Sequence, residues 1–171
     1  MNTFIKILSG GDLRSIGSAN AIAKQVQTQY QFDELFEALF HNDRLIVMRA
    51  VDAVEKITQN KPDYLKSHKK SLLRLLKEAK DKEFKWHLAL LVARLKLTKP
   101  ELGKLWEILS NWALDSSESK IVRVNSIQTL FDLSKQAPEL TEDFDLTISQ
   151  LEREEIPSIK ARIRKLKKHS S

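Results

Sequence analysis

The sequence predicts an all-α protein: a short right-handed stack, or α-solenoid, of about four helical hairpins behind an N-terminal cap helix. Three observations predict it. Pro62, Pro100 and Pro138 recur at a spacing of 38 residues, each followed by an acid and then by leucine within three positions (Leu65, Leu102, Leu140). An apolar anchor stands 16 residues before each proline, at Ile46, Phe84 and Val122, and a fourth, Ile159, follows 37 residues after Val122. No stretch alternates like a half-buried strand, while apolar residues recur at helical spacing throughout. A fixed period in this range marks repeated supersecondary units, none of which buries its apolar face alone.

The first 31 residues fall out of register. Leu8 stands 38 residues before Ile46, but Asp12 and Ser15 then occupy core slots. Ser18 reads as the cap of one helix carrying Ala19, Ile22, Val26 and Tyr30, which would cover the open end of the stack. Gly10, Gly11 and Gly17 read as the turn before it. No Gly-Lys-Ser/Thr follows and no strand precedes, so a P-loop has no support.

Four units follow, over about residues 32–61, 62–98, 99–137 and 138–169, giving with the cap a single domain over 1–171. The first helix of each carries one apolar stripe. Phe32, Leu35, Phe36, Leu39 and Phe40 mark the first unit, and Leu72, Leu73, Leu75 and Leu76 the second. Leu102, Leu105, Ile108, Leu109 and Trp112 mark the third, and Phe144, Ile148 and Leu151 the fourth. The second helix repeats from its anchor: Ile46, Ala50, Ala53, Val54, Ile57; Phe84, Leu88, Leu91, Val92, Leu95; Val122, Ser126, Thr129, Leu130, Leu133; Ile159, Ile163, Leu166. That spacing puts one stripe on one helical face. The match decays in the last unit, as a terminal repeat that meets water requires. Polar turns at 41–44, 79–82, 115–120 and 154–157 join the pairs. Asp43, Asp81, Ser119 and Ser158 read as N-caps, whose side-chain oxygens accept from orphan helix N–H groups. The prolines lack an N–H, so they mark first turns or connections.

Composition bounds the partners. The chain has 171 residues, 42% hydrophobic and 30% charged, with a net charge of +6. No cysteine is present, so there is no disulfide framework, thiolate chemistry or Cys-type zinc site, and a cytoplasmic location is expected. The first fifteen residues carry too little charge and too short an apolar run for a signal peptide. No apolar run is long enough to span a membrane. The excess charge is patchy. Residues 66–82 carry seven Lys/Arg against two acids, and 160–168 carry six Lys/Arg and no acid. Residues 139–155 carry seven acids and one arginine. Each block reads first as a solvated helix face. The four histidines form no His-x-x-x-His or Glu-x-x-His pair, so neither a metal nor any other cofactor is expected.

The second helix of unit three, Val122-Arg123-Val-Asn-Ser126-Ile-Gln-Thr129-Leu130-Phe-Asp-Leu133, resembles the second helix of HEAT repeats, and the resemblance extends over about residues 32–168. Two departures stand out. Val47 replaces the basic residue after the anchor, filled elsewhere by Lys85, Arg123 and Lys160, and a period of 38 is short for the family. The resemblance implies second helices lining a concave face and a role mainly as a binding surface. Counting the anchor as position 0, stacking then aligns Lys85, Arg123 and Lys160 at +1, and Arg49, His87, Asn125 and Arg162 at +3. Two readings of these columns stand side by side. One is a net basic stripe that contacts a partner, with Arg49, Lys85, His87, Arg123, Asn125, Lys160 and Arg162 as contact residues. The other is an internal ladder of bonds to turn acids such as Asp43, Asp81 and Glu118.

The expected function is therefore a non-catalytic protein–protein interaction module, or adaptor, for a partner with an acidic surface. The alternative is nucleic-acid binding in a basic concave groove. HEAT-like alkylpurine DNA glycosylases use tryptophans and an aspartate in such a groove, which directs attention to Trp86, Trp106, Trp112 and Asp115. Their motifs cannot be laid residue by residue on this chain. Trp112 continues the stripe of Leu105, Ile108 and Leu109, and Asp115 reads as a turn residue.

Overall fold

The computed structural model describes residues 2–10 and 16–170, the side chains of residues 16–18 excepted. Among the described residues it holds ten α-helices, three 3-10 segments and no strand. The chain divides into two compact units, residues 1–71 and 72–171.

In the first unit the helices are α1 (Thr3–Ser9), α2 (Ile16–Gln25), α3 (Gln29–Glu37) and α4 (Arg44–Asn60). A 3-10 turn, Ala38–Phe40, extends α3, and a 3-10 run, Pro62–His68, leads into α5 (Lys69–Glu78), within which the division falls. Helix α4 is the hub, against which α1, α2, α3 and the 3-10 run all pack. Its inward face carries Ile46, Ala50, Ala53 and Val54, all buried. The aromatic residues of α3 meet the 3-10 run. The Phe32 ring lies 5.2 Å from Tyr64, and Phe36 stacks on His68 at 3.9 Å. His68 Nε2 lies 2.6 Å from an Asp33 oxygen, and the Tyr64 hydroxyl donates to the Gln27 carbonyl at 2.9 Å.

The N-terminal region differs from the single cap helix expected there. It forms two helices, α1 and α2, and α2 lies along α4. Asn2 starts α1 by accepting from the N–H groups of Phe4 and Ile5, and Gly10 closes it with its N–H on the Ile7 carbonyl. Ala19, Ile22 and Val26 are buried as expected, but Tyr30 belongs to α3 and is exposed. Thr28 opens α3 through a reciprocal capping box with Gln31, which breaks the expected long helix in two. Ile16 and Gly17 already belong to helix α2, so Ser18 is not at its start, and its side chain lies outside the described residues, as do Gly11, Asp12 and Ser15.

The second unit holds the rest of α5, then α6 (Lys82–Val92), α7 (Lys99–Leu114), α8 (Lys120–Gln136), a 3-10 turn at Pro138–Leu140, α9 (Thr141–Leu151) and α10 (Pro157–His169). Helix α8 is its hub, in contact with α6, α7, α9 and α10. Leu130 on α8 is wholly buried, which stabilises the fold by about 1.5–3 kcal/mol for a side chain of this kind. Pro62 and Pro138 open 3-10 segments and Pro100 sits in the first turn of α7, as their missing N–H dictates. Asp43, Asp81 and Ser119 cap α4, α6 and α8 through their side chains. Ser158 does not cap α10. The helix already starts at Pro157, whose fixed φ suits a first helical position, and Ile156 is the flanking residue. All three tryptophans of the chain, Trp86, Trp106 and Trp112, lie in this unit, and both tyrosines, Tyr30 and Tyr64, lie in the first.

Candidate functional site

Helices α6, α8 and α10 are the second helices of three successive hairpins, and α8 lies between the other two. Small side chains let them approach. The Thr129 hydroxyl donates to the Ala89 carbonyl of α6 at 2.7 Å, and the Ser126 hydroxyl turns back onto the Val122 carbonyl at 2.8 Å. Neither leaves a buried polar group unmet, which would cost about 1–3 kcal/mol.

The +1 column is largely internal. The Lys85 ammonium pairs with Glu118 in the turn before α8 and lies 5.2 Å from the centre of the Trp112 ring. Arg123 is buried at 1% exposure. Its Nε donates to the Ala113 carbonyl at 2.9 Å, and its Nη2 lies 2.8 Å from both carboxylate oxygens of Glu154, in the turn before α10. Each of these cations reaches the turn that precedes the following second helix. Lys160 instead pairs at 2.6 Å with Glu155, an exposed residue of its own preceding turn.

The +3 column is also mostly inside. His87 is buried with its ring stacked on Trp86 at 3.5 Å, and Asn125 is buried. Arg162 is half-buried and donates to Gln128 at 2.9 Å, while Gln128 donates to Asp132 at 3.1 Å. Burial raises the Asp132 carboxyl above its ordinary range against the opposing pull of Gln128, Lys135 and Arg162. Burial likewise lowers the Arg162 guanidinium, and Asp132 partly restores it. In the first unit, buried Arg49 directs Nη1 to the carbonyls of Leu8 at 2.6 Å and Gly10 at 2.9 Å, at the end of α1. Of the seven expected contact residues, Arg49, His87, Arg123 and Asn125 are therefore buried and Lys85 is held by Glu118. Lys160 and Arg162 keep part of their surface open.

What the second unit leaves open on this side is a different set. Trp86 and Leu90 on α6 and Val124 on α8 are half-buried, and Ile121 is 48% exposed. Asp132 and Lys135 stand toward the other end of α8 and Lys165 on α10, with the Lys135 ammonium 4.2 Å from the Phe131 ring centre. The signal for this set is positional. From each anchor, −1, +2 and +6 lie on the face opposite the buried stripe, and there the chain places Ile121, Trp86, Val124 and Leu90.

Trp106 is buried and its Nε1 donates to Asp143 at 2.5 Å, joining α7 to α9. Asp115 is fully exposed and accepts from the Ser117 hydroxyl and N–H, which hold its carboxyl below the ordinary range. Among the described residues no group of three or more His, Asp or Glu is placed to hold a metal ion. No helix among them is long and apolar enough to cross a membrane.

A family model described as a HEAT repeat domain matches residues 12–170, nearly the whole chain. The chain belongs to the HEAT repeat family. HEAT repeats are a scaffold commonly used in protein interactions and typically non-catalytic. The match includes α2, in the region that lies out of register with the later repeats. No curated protein matches the chain at a significant level.

Proposed function

We propose that this HEAT repeat protein is a non-catalytic adaptor that binds a protein partner on the open side of α6, α8 and α10. One observation carries this reading: that side is mixed in character, with Trp86, Leu90, Ile121 and Val124 beside Asp132, Arg162 and Lys165, rather than a continuous positive groove. Half-buried tryptophan and aliphatic side chains are the residue types that anchor protein interfaces. A phosphate backbone asks instead for a run of unpaired cations, and two of the cations expected to form one, Lys85 and Arg123, are engaged by Glu118 and Glu154. Side chains already held in packed helices lose little freedom on binding, so more of the contact energy appears as affinity.

A photo-reactive amino acid placed at Ile121 or Val124, with Leu146 on α9 as the control position, tests the surface. Protein adducts at the α8 positions, absent at Leu146, are expected. Adducts to nucleic acid, or a mobility shift of duplex or single-stranded DNA or RNA at low salt, would replace this reading with the nucleic-acid one.

A further inference from the structure

The second unit repeats one stripe on three helices, and the stripe changes character on the last. On α6 it is Lys85, Ala89 and Val92, and on α8 it is Arg123, Ile127 and Leu130. In both, the cation takes a carboxylate from the turn before the following second helix. The other two positions are wholly buried, and Thr129 of α8 bonds directly at Ala89. On α10 the same positions are Lys160, Arg164 and Lys167, with Arg164 and Lys167 exposed and Lys160 half-open. They border a shallow cavity of about 260 Å³ shared with Glu152 and the buried Ile163.

A solvated edge would be expected to mix charge signs, because like charges at i, i+4 cost a helix stability. Residues 160–168 carry six Lys/Arg and no acid. From the preceding turn Glu155, 86% exposed, pairs with Lys160 and Glu152 pairs with Lys167. Exposed pairs of this kind are worth about 0–1 kcal/mol, so an incoming carboxylate can exchange with them.

We propose that Lys160, Arg164 and Lys167 form a docking edge for a helix of a partner protein that carries carboxylates at i, i+4 and i+7. The two internal rungs show the chemistry a cation in this column takes, a carboxylate from a neighbouring helical unit. The stripe is about 10 Å long at 1.5 Å per residue, the length of two turns of a helix lying alongside and short for a run of phosphates. This edge is separate from the open side of Trp86, Ile121 and Val124, so the two surfaces fail or succeed independently.

The test uses the full chain and two synthetic alanine-based helical peptides, one with glutamates at i, i+4 and i+7 and its all-glutamine twin, followed by backbone amide NMR. The glutamate peptide is expected to shift amides along α10. Its affinity should fall about tenfold or more in the triple variant Lys160→Gln, Arg164→Gln, Lys167→Gln and stay unchanged in Ile121→Asp. The ion pairs removed lie at the surface and are worth little, so the triple variant should melt close to the parent. Equal binding of the two peptides, unchanged affinity in the triple variant, or displacement of the peptide by duplex DNA would each overturn the proposal.

Discussion

Arg49 in residues 1–71 and Arg123 in residues 72–171 are both buried, yet they tie their helices to different neighbours, Arg49 to the end of α1 before it and Arg123 to the turn before α10 after it. Arg49 meets two peptide carbonyls at the end of α1, where aligned dipoles leave partial negative charge. Arg123 meets one carbonyl and a full carboxylate. The difference follows from what each neighbour offers. The first unit has Val47 at +1, so its arginine stands at +3 and reaches a helix end. The second has a basic residue at +1 beside a turn that ends in acids. A buried guanidinium thus ties its helix to whichever neighbour offers acceptors of the right geometry.

The largest effect should come from Arg123→Met. It leaves the half-buried Glu154 carboxylate and the Ala113 carbonyl without their donor, which costs about 3 kcal/mol. Urea unfolding measures it. Adding Glu154→Gln should recover part of the loss, and a double variant no better than the single one would mean that the pair is not the cause. Arg49→Met should cost about 2 kcal/mol, because it leaves the Leu8 and Gly10 carbonyls without their donor. The loss should be local, with faster amide exchange in α1 and unchanged exchange in α8. Faster exchange in α8 as well would mean that Arg49 supports more than the packing of α1. Lys85→Met should cost about 1.5 kcal/mol, because it removes one charged contact, to Glu118, where Arg123 holds the Ala113 carbonyl and both oxygens of Glu154.

The smallest effect concerns pH. Burial raises the folded-state pKa of Asp132, so the folded protein binds that proton more tightly than the unfolded chain. Ionisation therefore works against the fold, and this penalty lifts as pH falls through the raised value toward the ordinary carboxylate pKa of about 3.9. Asp132→Asn should melt slightly higher than the parent at pH 7, with the gain fading toward pH 4. A gain that grows on acidification would reverse the assigned sign.

Much of the fold is legible in the sequence because its signals are local. A proline that cannot donate, an aspartate at a helix start and a stripe at helical spacing each act over a few residues. Asp43, Asp81 and Ser119 could be placed for that reason. Helix α1 was less legible: it is seven residues long and is held by Asn2, buried Phe4 and Leu8, and contact with α4. Asn2 ahead of the i, i+4 pair Phe4 and Leu8 was the available signal. The candidate surface was legible in alignment and not in depth. Period told which side chains lie beside each other, but Lys85 finds its acid 33 residues on and Arg123 finds its own 31 residues on, because the turns differ. No fixed spacing exposes such a ladder, so a column of cations reads equally as surface or interior until its partners are placed.

The distribution of aromatic residues gives the molecule a built-in optical label. With every tryptophan in residues 72–171 and every tyrosine in residues 1–71, emission excited at the red edge reports on the second unit alone. The tyrosine band of the second-derivative absorbance spectrum follows the first. A single denaturation series read in both channels would show, without any added dye, whether the two units lose structure at one midpoint or at two.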